Sequence, residues 1–191
     1  MLRISLLVAV IFFVGLSCDV YAQDASQKTS ELVAALDKTK YKKKEKPNVS
    51  IEIYIDIKNE AAVRDAFDYS GNYESEESGS GCRLTLHVER GGSATGSGYD
   101  MMNEGDRRLS FTLKDAAING ALLTATKVYE NGEQRKFEAV FVNRTVATGK
   151  NANEISSRET KFGLGFIQTG NWSDKEGRTM NFTSRVFLER R

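Results

Sequence analysis

Cys82-Arg-Leu-Thr-Leu-His-Val-Glu89, then Arg90-Gly91-Gly92, then Ser93-Ala-Thr-Gly-Ser-Gly-Tyr99 is the stretch that decides the fold class. Cys82, Leu84, Leu86 and Val88 alternate with Arg83, Thr85, His87 and Glu89, the period-two pattern of a strand with one buried face. The glycine pair reads as a turn, because glycine reaches positive φ without steric cost, and residues 93–99 return as the next strand. Toward the C-terminus the same rhythm continues. Residues 109–113 form a strand, Asn119-Gly120 is a hairpin signal before 121–129, and Asn131-Gly132 opens 134–142. A looser polar stretch at 145–160 precedes strands at 161–169 and 179–189. With 70–74 placed first, these make eight strands joined by short loops. The pattern predicts an all-β fold, an eight-stranded antiparallel up-and-down barrel; a two-sheet sandwich would need longer crossovers.

Upstream of the barrel the chain changes character. Met1-Leu2-Arg3 is a short positive segment, residues 4–16 are almost all apolar, and Val20-Tyr21-Ala22 fits the small-x-small rule for signal peptidase. A cleavable signal peptide over 1–22 is expected, with the product starting at Gln23 and delivered outside the cytoplasm, secreted or periplasmic. The apolar run is shorter than the roughly 20 residues a helical span needs, so no stable membrane insertion is expected. Residues 23–68 read as an N-terminal extension: a short helix capped by Ser30 and carrying Leu32, Val33 and Leu36, then a lysine-rich linker ending at Lys46, then a strand at 50–58. The linker's basic run offers a contact for anionic lipid or a cell-wall polymer, and a solvated segment is the favoured reading because blocks of like charge usually mark one. In that strand Ile51, Ile53, Ile55 and Ile57 share one face, expected to be buried against the barrel domain of residues 69–191. Residues 60–67 fit a helical turn.

Composition removes several classes of function. A formal net charge of +1 gives no basic field for nucleic acid. Cys82 is the single cysteine beyond the leader, so no intramolecular disulfide is available, and its place in an alternating strand marks it as a buried apolar residue. His87 is the only histidine and lies in mid-strand, so a catalytic triad has one possible base and no nucleophile elbow beside it. No catalytic residue, metal ligand or cofactor is assigned. The acidic positions around Glu74 and from Asp100 to Asp106 read as solubilising loop charge.

Ser70-Gly71-Asn72-Tyr73, a Ser/Gly/Glu loop, Arg83-Leu-Thr-Leu-His-Val-Glu89 and Gly91-Gly-Ser-Ala-Thr-Gly-Ser-Gly-Tyr99 together resemble the avidin and streptavidin type of calycin barrel. The resemblance implies the barrel and an exported binding protein. It does not carry biotin, because that family walls its pocket with several tryptophans and Trp172 is the only one here. It also implies that an arginine near the last strand packs across Tyr73. The candidates are Arg185 and Arg190, on opposite faces by period two, and Arg185 is expected because Arg190 lies at the chain end.

The glycines admit two readings. Gly96 and Gly98 share a face with Ala94, and Gly163 and Gly165 alternate with Phe162, Leu164 and Phe166. Such glycines mark bends, or they hollow out space when their face points inward. The first functional expectation is a non-catalytic barrel that binds a small, partly apolar ligand, lined by Tyr73, Thr95, Ser97, Tyr99, Thr124 and Thr126. The second is a protein-interaction module, such as an inhibitor of an exported hydrolase, acting through loops at 145–160 and 171–177. The third is an enzyme that moulds its substrate inside the barrel. An open interior favours the first or third, and a filled one the second.

Overall fold

The computed structural model of the chain describes residues 23–46, 49–75, 81–101, 108–173 and 179–191. The expected signal peptide and the loop positions 76–80, 102–107 and 174–178 lie outside the described residues. A helix α1 covers 23–36. It is followed by β1 (Lys38–Lys46), β2 (Val49–Ala61), a 3-10 helix (Ala66–Tyr69), β3 (Gly71–Ser75), β4 (Cys82–Val88), β5 (Ser93–Met101), β6 (Arg108–Asn119), β7 (Leu122–Tyr129), β8 (Gln134–Gly149), β9 (Ile155–Ser173) and β10 (Thr179–Arg190).

Strands β3 to β10 pair antiparallel in chain order, and β10 returns to β3, closing an eight-stranded up-and-down barrel. Closure removes the sheet edges that such a fold would otherwise expose. The alternation of β4 sets the sense of the whole wall. Leu84 lies opposite Gly98 and Leu86 opposite Gly96, and these in turn face Phe111 and Leu113 of β6, all on the inner side. The inner face continues through Leu123, Tyr129, Phe137, Ala139, Phe141, Leu164 and Leu188, all buried. The glycine face of β5 does point inward, and the space it leaves is filled. A Cβ on Gly96 would lie 3.0 Å from Leu113 Cδ1, and one on Gly98 would strike the Arg83 carbonyl and come within 3.0 Å of the Phe111 ring. Among the described residues the interior is a packed core.

Gly163 and Gly165 serve the opposite side. They sit on the outer face of β9 beside Phe187 of β10, and a Cβ on Gly165 would collide with the Leu36 side chain of α1. Gly165 therefore admits the helix, whose Leu32, Val33 and Leu36 cover this part of the outer wall as the helical spacing requires. The cap expected at Ser30 is not made, because the helix already runs from residue 23. Ser30 sits within it and its hydroxyl donates back to the Ser26 carbonyl at 3.0 Å. At the other end Arg185 Nε donates to the Ala35 carbonyl at 2.6 Å, satisfying one of the orphan acceptors of a helix C-terminus with a cation.

Two expectations for the polar segments need correction. The lysine-rich stretch is not a linker: it is β1, paired along its whole length with β2, with Lys43 opposite Glu52 and Thr39 opposite Asp56. Nor is 145–160 a loop. Past Val140, β8 exchanges β7 for β2 and runs on to Gly149, turns at 150–154, and returns as the outer half of β9. A four-stranded flap, in the order β1-β2-β8-β9, thus projects from one end of the barrel. The isoleucine strand belongs to this flap, and Ile55 and Ile57 are half-buried there rather than sealed against the barrel; the side chains of Ile51 and Ile53 lie outside the described set.

The barrel is plugged at the flap end. Tyr69 is fully buried, stacked on Phe141 at 4.1 Å between centroids. Its hydroxyl accepts the Arg64 N–H at 2.7 Å and lies 2.9 Å from the carbonyls of Ala62 and Gly120. Tyr73 is equally buried and donates to the Tyr69 carbonyl, and burial pushes its phenol well above the ordinary range. The arginine that closes this end is Arg190, not Arg185. Arg190 pairs with Tyr73 in the β10–β3 ladder, lies against Gly71, and donates to the Asp68 carbonyl at 2.7 Å. The ring beneath its guanidinium is that of Phe162, at 5.8 Å, and not that of Tyr73. The chain end is not frayed, because the Arg191 N–H donates to the Asn72 carbonyl at 2.9 Å.

Candidate functional site

Of the six residues expected to line a pocket, only Tyr73 faces inward, and there it is part of the plug. Thr95, Ser97 and Tyr99 lie on the outer face of β5 and Thr124 and Thr126 on the outer face of β7, so five share one side of the wall with β6 between them. This follows from the register: Thr85 is opposite Ser97 and Ser97 opposite Thr112, the exposed partners of the buried Leu84, Leu86, Phe111 and Leu113.

Between these strands the outer wall holds a groove of about 680 Å³. Its centre is short and hydroxylated, from Thr85, Ser97, Ser110 and Thr112, with Val128 beside them. Its rim is long and charged, with Arg83 on one side and Glu130 on the other. Short side chains flanked by long ones are what make a depression on an otherwise convex wall. Arg83 is held by Glu74 at 2.9 Å, Thr85 Oγ1 donates to Asn72 Oδ1 at 2.8 Å, and the Arg108 guanidinium covers the Tyr99 ring at 4.8 Å. His87 stands exposed on the same face, opposite Thr95. Each hydroxyl offers one donor and two acceptor positions, so the groove can orient a polar ligand through several hydrogen bonds.

A second cluster, which sequence reasoning missed, lies inside the barrel toward the end away from the flap. Lys127 is buried, and its ammonium is 2.9 Å from Asp100 Oδ2. The Tyr129 hydroxyl donates to the same oxygen at 2.6 Å. Phe111 and Phe137 place their rings 4.3 and 4.7 Å from Lys127 Nζ. Asp100 was expected to be solubilising loop charge; it faces inward because it continues the Gly96, Gly98 side of β5. Burial alone would raise its pKa, but Lys127 and the hydrogen bonds from Tyr129, Cys82 and Lys127 outweigh burial and hold it below the ordinary carboxyl range. The Cys82 thiol is pushed up, by burial first and by Asp100 in addition, which keeps it protonated and inert. Period two carried the signal: Lys127 alternates in step with Leu123, Ala125 and Tyr129. The pair is enclosed by packed side chains, so its chemistry is that of a satisfied internal ion pair.

No family model, curated protein or solved structure matches the chain. Among the described residues no helix is long and apolar enough to cross a membrane.

Proposed function

We propose that this protein is an exported, non-catalytic binding module that takes its ligand on the outer face of β4 to β7 rather than inside the barrel. The observation that carries the reading is the contrast between the two sides of one wall. The inner side is lined mostly by buried apolar side chains, whereas the outer side holds a hydroxyl-floored groove whose central side chains Thr85, Ser97, Ser110 and Thr112 are all exposed. Protein surfaces recognise small polar molecules with a few convergent hydrogen-bonding groups, and this groove supplies them together with one charge of each sign. The fitting ligand is small and polar with a minor apolar part that meets Val128. Export rests on the leader-like residues 1–22. The test is an amide-shift titration of the labelled chain from Gln23 onward with a fragment panel of sugars, amino-acid derivatives and aromatic acids. Shifts should gather at Ser97, Ser110 and Thr112 and vanish in Ser97→Trp, which fills the groove. Shifts confined to inward-facing residues such as Ala125 and Ala139 would refute the reading.

The flap supports a second reading, a protein-interaction module. The outer half of β9, residues 155–162, pairs with β8 on one side and has no strand on its other side among the described residues, which leaves an edge for a partner strand. A partner seated there would slow hydrogen exchange of those amides; unchanged exchange on adding an exported hydrolase would count against it.

A further inference from the structure

The flap and the plugged end of the barrel carry an inference independent of the groove. β1 contains six lysines and one glutamate in nine residues, although the whole chain has a net charge of only +1. The positive charge is therefore concentrated on one strand. That strand is the outermost of the flap, hydrogen-bonded only to β2 among the described residues, and extends for about 30 Å at the usual rise per residue. Lysine on an edge strand also discourages edge-to-edge aggregation.

The second observation lies at the root of the same flap. Where β2 ends, the Ala62 N–H donates to the Phe141 carbonyl, and the chain then crosses the barrel end through Val63 to Phe67. Val63 is 71% exposed and Phe67 49%, the large apolar side chains that stand out to solvent among the described residues. Their neighbours are fixed: Arg64 lies over Phe162 at 4.0 Å, and Ala66 packs on the core. The segment is thus held in place while Val63 and Phe67 face outward. Within it Arg64 and Asp65 offset each other and Asp68 follows, so its own charge does not attract an anion, and the attraction must come from β1.

From these we infer that the flap end of the barrel docks on an anionic lipid surface, with β1 supplying electrostatic attraction to the headgroups and Val63 and Phe67 entering the interface. A lysine-rich segment combined with exposed apolar side chains is the pairing that a charged lipid surface rewards. Lys38, opposite Ile57, is the lysine of β1 nearest the root in register, and the others follow it along the flap. An anionic polymer would engage β1 equally well and would leave Val63 and Phe67 without a role, which is why lipid is favoured.

The test is sedimentation of the chain from Gln23 onward, which holds every described residue, with vesicles of phosphatidylcholine alone or mixed with phosphatidylglycerol. Binding to the mixed vesicles at low salt and not to the neutral ones is expected, with release at high salt because the attraction is screened. Lys40, Lys42 and Lys44→Gln together should weaken binding at least tenfold. Val63→Ser with Phe67→Ser, which alter no ladder pairing, should weaken it several-fold at an unchanged melting temperature. Absence of binding to the mixed vesicles overturns the inference. So does retention on poly-L-glutamate with vesicle binding indifferent to the Val63 and Phe67 changes, since that is the behaviour of a polyanion site.

Discussion

Arg190 and Asp100 show what individual residues contribute that pattern alone does not reveal. Period two placed Arg185 and Arg190 on opposite faces but could not say which face was inner, because that depends on the register of the final strand. The β10–β3 ladder settles it by pairing Arg190 with Tyr73 and sending Arg185 outward to the end of α1. Arg190→Met should lower stability by about 2 kcal/mol in urea titration, since it strips a partly buried guanidinium from the Asp68 carbonyl and from the Phe162 ring. Arg185→Met should cost about 1 kcal/mol, the value of a charge at a helix C-terminus. Equal costs would mean that the two arginines have no distinct roles. Asp100→Asn should cost about 3 kcal/mol, because Lys127 is then left buried without its countercharge, whereas Asp100→Asn combined with Lys127→Met should recover most of the loss. The pH dependence has a definite sign. The folded-state pKa of Asp100 lies below the ordinary 3.8, so its contribution is present above that value and is lost as the pH falls through the folded pKa. Urea midpoints between neutral and acid pH should therefore fall less steeply in the doubly substituted protein than in the parent.

At the scale of elements, the barrel strands and β2 of the flap were legible and the rest of the flap was not. Cys82 to Val88 reads as a strand because one face is apolar, and the Asn119-Gly120 and Asn131-Gly132 turns fall where hairpins need positive φ, at Gly120 and Gly132. β1 and the outer halves of β8 and β9 carry no such contrast between faces, so nothing in their residues distinguishes strand from solvated coil. The outer half of β8 is a strand because β2 and β9 complete its hydrogen bonds on both sides, whereas among the described residues β1 and the outer half of β9 each lean on one neighbour, β2 and β8. Partner-dependent structure of this kind is what sequence patterns miss. The docking of α1 was visible only in part: Leu32, Val33 and Leu36 identify its apolar side, but the matching Gly165 read first as a bend. That match is testable. Gly165→Ala should destabilise by about 1 to 3 kcal/mol through overpacking against Leu36, and less so when Leu36 is already Ala. Additive effects in that cycle would show that the helix does not rest on Gly165.

The whole molecule is a closed barrel whose centre is full, with a helix laid on one outer side, a flap at one end and a groove on another side. The eight-strand rhythm gave the architecture correctly, and closure follows from the pairing of β8 with β9 and β10 with β3. The candidate site was half legible. Thr95, Ser97, Tyr99, Thr124 and Thr126 do share one face, but that face is the outer one, because the apolar partners of β4 and β6 outweigh hydroxyls in deciding what is buried. Intact-mass measurement of exported protein should give a chain starting at Gln23; a lipid on Cys18 would place the protein on a membrane by a route that needs neither β1 nor Val63. The claim that the interior is filled is tested most directly by Ala139→Phe, at a wholly buried position on the inner face of β8. Urea denaturation should show a loss of about 1 to 3 kcal/mol or more, as expected when extra volume enters a packed core, while Thr112→Phe on the exposed outer face should stay within about 0.5 kcal/mol. Stability unchanged or raised by Ala139→Phe would mean that the barrel holds an open cavity, and would return the ligand to its interior.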